Sequence, residues 1–277
     1  MSVLVQQHEL PLSTGEEGPP LHGDSATLAY PFFVLRNRPG QGRVRSFEWQ
    51  GKSFEITASV EGFPTMRDRG ILLFCMTRLI ESTRRGGPMT AEVEFEPVEL
   101  FRFLAKDEGY RPTSADYAWM YEALKRLTGS TIRTNIPTGG TVTRGEFSII
   151  ESYEVISIRE ESHVPRIVQV RISTWCQRAI QALEFQRMNP EYLEVRKPIE
   201  RRLYEIALHH TQGRRTWGAS LEYLMLHVGT RERKRDFIQR IDELAERNGI
   251  PDFRIQRFGS QVLFIPDPLA ENSCGGG

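Results

Sequence analysis

Alternation of apolar and polar positions opens at residue 46. Ser46-Phe47-Glu48-Trp49 and Ser53-Phe54-Glu55-Ile56 flank Gln50-Gly51, the pattern of two half-buried strands joined by a tight turn in which glycine supplies the positive φ. From residue 70 to 85 the period becomes helical, with Ile71, Phe74, Cys75, Arg78 and Leu79 recurring until Gly86-Gly87-Pro88 stops the run. Residues 91–95 alternate again, and Pro97 suits the first turn of a second helix whose Leu100, Phe101 and Leu104 share a face. Thr113 or Ser114 can cap a third helix with the apolar stripe Tyr117, Met120, Tyr121, Leu124 and Leu127, ending at Gly129. Two β-rich runs, 130–136 and 147–158, then flank the turn-rich Pro137-Thr138-Gly139-Gly140 and predict a hairpin. Helix, strand, helix, helix, hairpin is the winged-helix order.

The same order returns further on. A strand at 166–172 leads into a helix from Ser173, and Asn189-Pro190 breaks the pattern, which places a domain junction there. A helix from Pro198 carries Ile199, Leu203, Ile206 and Ala207, residues 215–217 suit a short strand, and Ser220 caps a short helix with Leu221, Leu224, Met225 and Val228 inside. Gly229-Thr230 separates it from a long helix that ends at Asn248-Gly249. Residues 253–257 and 261–265, joined at Phe258-Gly259-Ser260, make a second wing. No sequence repeat accompanies this duplication. The expectation is an α+β protein with two winged-helix (helix-turn-helix plus β-hairpin wing) domains in tandem, at 30–188 and 189–268. A flexible acidic tail is expected at 1–29 and a flexible tail at 269–277.

Charge sharpens the picture. Thirty-six basic and 36 acidic residues in 277 leave a net charge of +0, which at first argues against a nucleic-acid partner. The distribution reverses that. The first thirty-four residues carry Glu9, Glu16, Glu17 and Asp24 and no cation, whereas residues 196–257 hold fourteen basic against nine acidic residues. Composition is that of a globular chain, the longest apolar run (71–76) is too short to cross a bilayer, and no basic segment leads an apolar stretch near the start, so a cytoplasmic, non-membrane protein is expected. Cys75, Cys176 and Cys274 stand far apart with no histidine at metal-ligand spacing; the first two suit buried helix positions, and no cofactor or metal is expected.

The strongest local signal is Thr230-Arg231-Glu232-Arg233-Lys234-Arg235, opening the long helix after a short helix and a glycine-containing turn, where a helix-turn-helix places its recognition helix. At about 100° per residue, Phe237, Ile238, Ile241, Leu244 and Ala245 face the core while Arg231, Arg235 and Gln239 project away together. Arginine can donate twice to guanine and glutamine can pair with adenine, so this face is able to read sequence; Arg233 joins it and Lys234 is assigned to phosphate. Arg254 and Arg257 make the second wing basic. In the first domain Arg126 on the third helix, with Trp119, Glu122 and Lys125 on the outer side, and Arg133 and Arg144 on the hairpin are weaker candidates for DNA contact. A solvated helix start is the bland alternative, but positive charge there opposes the helix dipole.

Catalysis is not expected. His209-His210 are adjacent on a helix, diverge by about 100° and cannot easily share a metal. The chain has no phosphate-cradling Gly-Lys-Ser or Gly-Lys-Thr loop and no Gly-x-Ser-x-Gly elbow.

Tyr30-Pro31-Phe32-Phe33, residues 71–80, Leu124-Lys125-Arg126-Leu127 with Gly129, Thr134-Asn135-Ile136, and above all Arg196-Lys197-Pro198-Ile199-Glu200-Arg201-Arg202-Leu203-Tyr204-Glu205 occur in an order that resembles the plasmid replication initiator protein A family, over roughly residues 30 to 266. The resemblance implies binding of double-stranded origin DNA at direct repeats (iterons), duplex opening and recruitment of host replication proteins such as helicase, polymerase and initiator, without cutting. It also implies a homodimeric form that represses its own promoter. A winged-helix repressor with no replication role uses the same basic helix, and a protein-interaction scaffold is the competing class.

Overall fold

The computed structural model describes residues 20–36, 42–157, 165–212, 215–247 and 249–267 and shows mixed helix and sheet. A short strand and helix lead, β1 (Leu21–Asp24) and α1 (Ser25–Ala29), followed by the hairpin β2 (Val44–Trp49) and β3 (Lys52–Thr57). Next come α2 (Arg69–Arg84), β4 (Glu92–Phe95), α3 (Pro97–Ala105), α4 (Ser114–Gly129), β5 (Thr131–Thr134), β6 (Ile150–Ile156) and β7 (Ile167–Ile172). Then α5 (Thr174–Gln181), β8 (Phe185–Met188) and a 3-10 turn at Pro190–Glu194 lead to α6 (Pro198–Thr211), β9 (Trp217–Ser220), α7 (Leu221–Val228), α8 (Lys234–Arg247), β10 (Phe253–Phe258) and β11 (Gln261–Pro266).

Local chemistry sets many of these boundaries. Gln50 and Gly51 both take positive φ, +48° and +74°, in the β2–β3 turn. Prolines occupy the first turn of α3 and α6. The hydroxyls of Ser173 and Ser220 accept the amides of Cys176 and Tyr223 at 3.3 and 3.1 Å and so cap α5 and α7. Cys75 and Cys176 are buried, and burial pushes both thiols up to about 12.

One arrangement occurs twice. α2, β4, α3, α4, β6 and β7 form a first unit, and α6, β9, α7, α8, β10 and β11 a second. Both sheets are antiparallel and share the order first strand, third strand, second strand: β4-β7-β6 and β9-β11-β10. The hairpin expected from 130–136 and 147–158 is different in kind. β5 completes a separate β2-β3-β5 sheet and meets Phe147 only through a bridge at Ile132, while β6 returns on β7. The pairing follows burial, because Ile132 and Thr134 lie opposite Ile56 and Phe54 on one buried face.

Residues 21–29 also depart from expectation. The sequence predicts a flexible tail there, yet β1 pairs with β8 along its whole length, and Asp24 caps α1 by accepting the Thr27 amide at 2.7 Å. Leu21, Leu28 and Leu73 pack into the second unit's core with Leu203, Ile206 and Phe237. That apolar content was too sparse to be read without its partner surface. Residues 1–19 and 269–277, the remainder of the expected tails, lie outside the described residues.

A buried ionic network crosses between the units. Arg69 of α2 pairs with Glu205 of α6 (Nε–Oε1 2.6 Å), and both side chains are almost fully enclosed, at 0% and 1% exposure. Arg202 donates to the other Glu205 oxygen at 2.8 Å and to the carbonyls of Thr27, Leu28 and His227 at 3.1, 2.7 and 3.1 Å. The Tyr192 hydroxyl donates to Glu205 as well. Beside this lies an aromatic seam in which Tyr30, Phe47 and Trp49 of the first half meet His227, with Trp49 also edge-on to Tyr223. Removing one partner from a buried ion pair leaves an uncompensated charge, so Glu205→Ala should lower the unfolding free energy by about 3–5 kcal/mol in urea denaturation.

Burial holds the imidazoles of His22, His209, His210 and His227 down to about 4 from 6.5. The unfolded chain therefore takes up protons that the folded histidines refuse, and this part of the stability is complete above about pH 6.5 and lost as pH falls towards 4. The urea midpoint should drop between about pH 7 and pH 5, and less so in His210→Phe, which keeps the stack on Trp217.

Candidate nucleic-acid interface

α7 closes at Gly229, whose φ is +71°. That positive φ favours glycine, and a β-carbon there would sit 2.1 Å from Nη2 of Arg45 and displace it: β2 brings its arginine directly against the turn. Arg45 is anchored by donating to the Pro31 carbonyl at 2.7 Å. Burial first, then the neighbouring Arg202 and Arg231 guanidiniums, lowers it to about 10. Sequence reasoning missed this residue, since nothing local to β2 signals which surface it will face.

The turn runs from Gly229 to Arg233. The Thr230 hydroxyl accepts the Glu232 amide at 3.2 Å, and Glu232 turns back onto Arg240 of α8 (3.1 Å). α8 therefore starts at Lys234 and not at Thr230. Arg231 and Arg233 precede the helix as exposed turn residues, so Arg231 does not share a helical face with Arg235 and Gln239 as expected. The core stripe agrees with the pattern: Phe237, Ile241 and Leu244 are fully buried, with Ile238 and Ala245 partly so.

Pairing sorts the remaining candidates. Arg235 is 86% exposed, and its nearest carboxylate is Asp236 at 3.6 Å. Gln239 is exposed and donates to Glu243 at 3.0 Å. Lys234 is tied to Glu222 of α7. On the wing, Arg254 is exposed with no carboxylate partner among the described residues. Arg257 instead bonds Asp242 of α8 through two nitrogens, at 2.6 and 2.7 Å, and donates to the Gly259 carbonyl at 2.8 Å. It braces the wing against α8. The exposed arginines at the start of α8 and on the wing are thus Arg231, Arg233, Arg235 and Arg254, with Lys234 exposed among them but tied to Glu222.

The first unit differs. Arg126, expected on the outer side of α4, is buried; it grips Asp68 through two nitrogens at 2.7 and 2.9 Å, and Trp119, also expected outside, donates its indole N–H to Asp68 at 3.1 Å. The helix is rotated relative to expectation because Asp68, at the start of α2, is buried and needs compensation. Arg126 is a structural residue, unavailable to DNA. Arg133 lies on β5, not on a wing, and pairs with Glu146 at 2.7 Å. Arg144 is exposed, and the two line one groove with Asn135 over the β2-β3-β5 sheet. Among the described residues no group of three or more His, Cys, Asp or Glu side chains is placed to hold a metal, and no helix is long and apolar enough to cross a membrane.

The family model for replication initiator protein A matches residues 22–255. The chain belongs to the replication initiator protein A family. The match begins within β1, the strand expected to be tail. A protein named "Putative replication protein" from Wigglesworthia glossinidia brevipalpis is 23% identical over 232 residues, covering 83% of this chain and 82% of that protein. Among solved structures, domains 2 and 3 of RctB share the fold at a TM-score of 0.59 and 12% identity, over 88% of this chain and 98% of that one. The Pi initiator protein, solved in complex with iteron DNA, aligns at a TM-score of 0.43 and 14% identity, over 76% of this chain and 96% of that one.

Two arginines give opposite expectations. Arg235→Ala should weaken or relax site binding by about 1–3 kcal/mol while leaving the urea midpoint unchanged. Arg126→Ala should cost about 3–5 kcal/mol of stability by orphaning Asp68. A titration of duplex binding alongside urea denaturation of both variants checks the pair.

Proposed function

We propose that this protein is a bacterial plasmid replication initiator that binds origin DNA sequence-specifically through tandem winged-helix units, with α8 of the second unit as the recognition helix. The observation that carries the reading is the cluster of exposed arginines at the start of α8, Arg231, Arg233 and Arg235, beside Arg254 on a wing braced to that same helix. Such a surface suits a duplex: cations neutralise phosphates, and exposed arginine side chains at the start of a helix can reach base edges. Family membership and the repeated unit support it.

On this reading the protein works in the cytoplasm at direct origin repeats, promotes duplex opening and brings in host helicase and initiator proteins. It represses its own promoter as a homodimer and does not cut DNA. The second unit reads sequence; Arg133 and Arg144 of the first half touch phosphates at most, since one of them is already paired.

Selection from random duplex DNA, followed by salt titration of the enriched site, tests the reading. One motif should emerge, and phosphate contacts by Arg231, Arg233 and Arg254 should give a slope of about −2.7 in log K against log salt. A plasmid carrying only this gene and its upstream DNA should then replicate. Enrichment without replication would leave a repressor; salt-insensitive behaviour with no enrichment would mean a protein scaffold.

A further inference from the structure

The wing of the second unit ends in an exposed aromatic ring. In β10, Phe253 and Ile255 face the core, while Arg254, Gln256 and Phe258 alternate to the outside. Phe258 is 61% exposed and is the one exposed phenylalanine among the described residues. It stands at the last paired position, opposite Gln261, and only Gly259 and Ser260 close the turn, with Gly259 at φ +59°.

This tip is rigid. Arg257 holds it from both ends, bonding Asp242 of α8 and the Gly259 carbonyl. Arg235, Gln239 and Asp242 are spaced i, i+4 and i+7 and so lie along one face of α8, with about 10 Å of rise from first to last. The wing is therefore bolted to the same helical face that presents Arg235.

Resting on the duplex-binding reading above, we propose that Phe258 is a wedge that inserts between adjacent base pairs of DNA held by α8 and locally unstacks them. A flat apolar ring on a stiff hairpin, flanked by a cation and by amide side chains, matches what enters a base step: the ring replaces lost stacking while its polar neighbours meet sugar and phosphate. A protein-docking patch requires contiguous apolar surface, whereas the positions around this ring are Gln256, Gly259, Ser260 and Gln261. The ring would supply the distortion that duplex opening needs, and Arg235 and Gln239 the register at which it acts.

The test uses the full chain and the enriched duplex labelled with 2-aminopurine at successive steps on either side of the α8 contact, read at saturating protein so that affinity does not enter. Wild type should raise the fluorescence several-fold at one step. Phe258→Ala should lose more than half of that rise while keeping its circular dichroism spectrum and salt slope, and Phe258→Trp should retain it. An unchanged rise in Phe258→Ala, or no rise at any step with wild type bound, would overturn the wedge alone. Absence of salt-dependent binding by wild type, read by anisotropy, would instead overturn the DNA-binding reading beneath it.

Discussion

Two arginines and one glutamate, none of them reached by water, hold the halves of this chain together. Glu205 sits between Arg69 of α2 and Arg202 of α6, and Arg202 also donates through Nε and Nη1 to backbone carbonyls from α1 and α7. Charges so deeply enclosed contribute little net stability when paired and are heavily destabilising when one partner is lost. What they impose is geometry. The contacts that these side chains make on α1, α2, α6 and α7 fix those helices relative to one another. The aromatic seam of Tyr30, Phe47 and Trp49 on His227 fills the space beside them.

That constraint reaches the basic surface. Because α7 is fixed against the first half, β2 can place Arg45 in the space that Gly229 leaves open, immediately before Arg231. From there, charge pairing decides which cations are free. Arg240, Arg247 and Arg257 are held by Glu232, Glu200 and Asp242 and serve as struts. Arg231, Arg233, Arg235 and Arg254 are left facing solvent. Around α8 the positive face is thus what remains once Arg240, Arg247 and Arg257 are neutralised by carboxylates.

Much of this was legible in the residues. Serine and threonine caps, proline at first turns, and the switch between periods of 2 and 3.6 marked nearly every helix and both strands of the second wing. Strand partners in the first half were less readable: β5 and β6 are near in sequence, but Ile132 and Thr134 bury against β3, and no local signal names a distant partner. Arg126 and Trp119 looked exterior by periodicity because the pattern cannot reveal a buried Asp68 on another helix. Residues 21–29 looked like tail because their few leucines acquire a core only when α6 is present. At the site, the basic run falls on the turn before α8, but periodicity alone starts the helix four residues too early, and no local signal ties Arg257 to Asp242, fifteen residues away.

On the proposed reading, α8 and its braced wing form the duplex-reading surface of a chain whose two halves are locked together. Hydrogen exchange by mass spectrometry, with and without the enriched duplex, tests it most directly. Protection should rise over residues 229–239 and 254–260, with the slow-exchanging amides around Arg69 and Glu205 unchanged. Protection confined to the first unit, or a loss of protection around Glu205 when DNA binds, would contradict it.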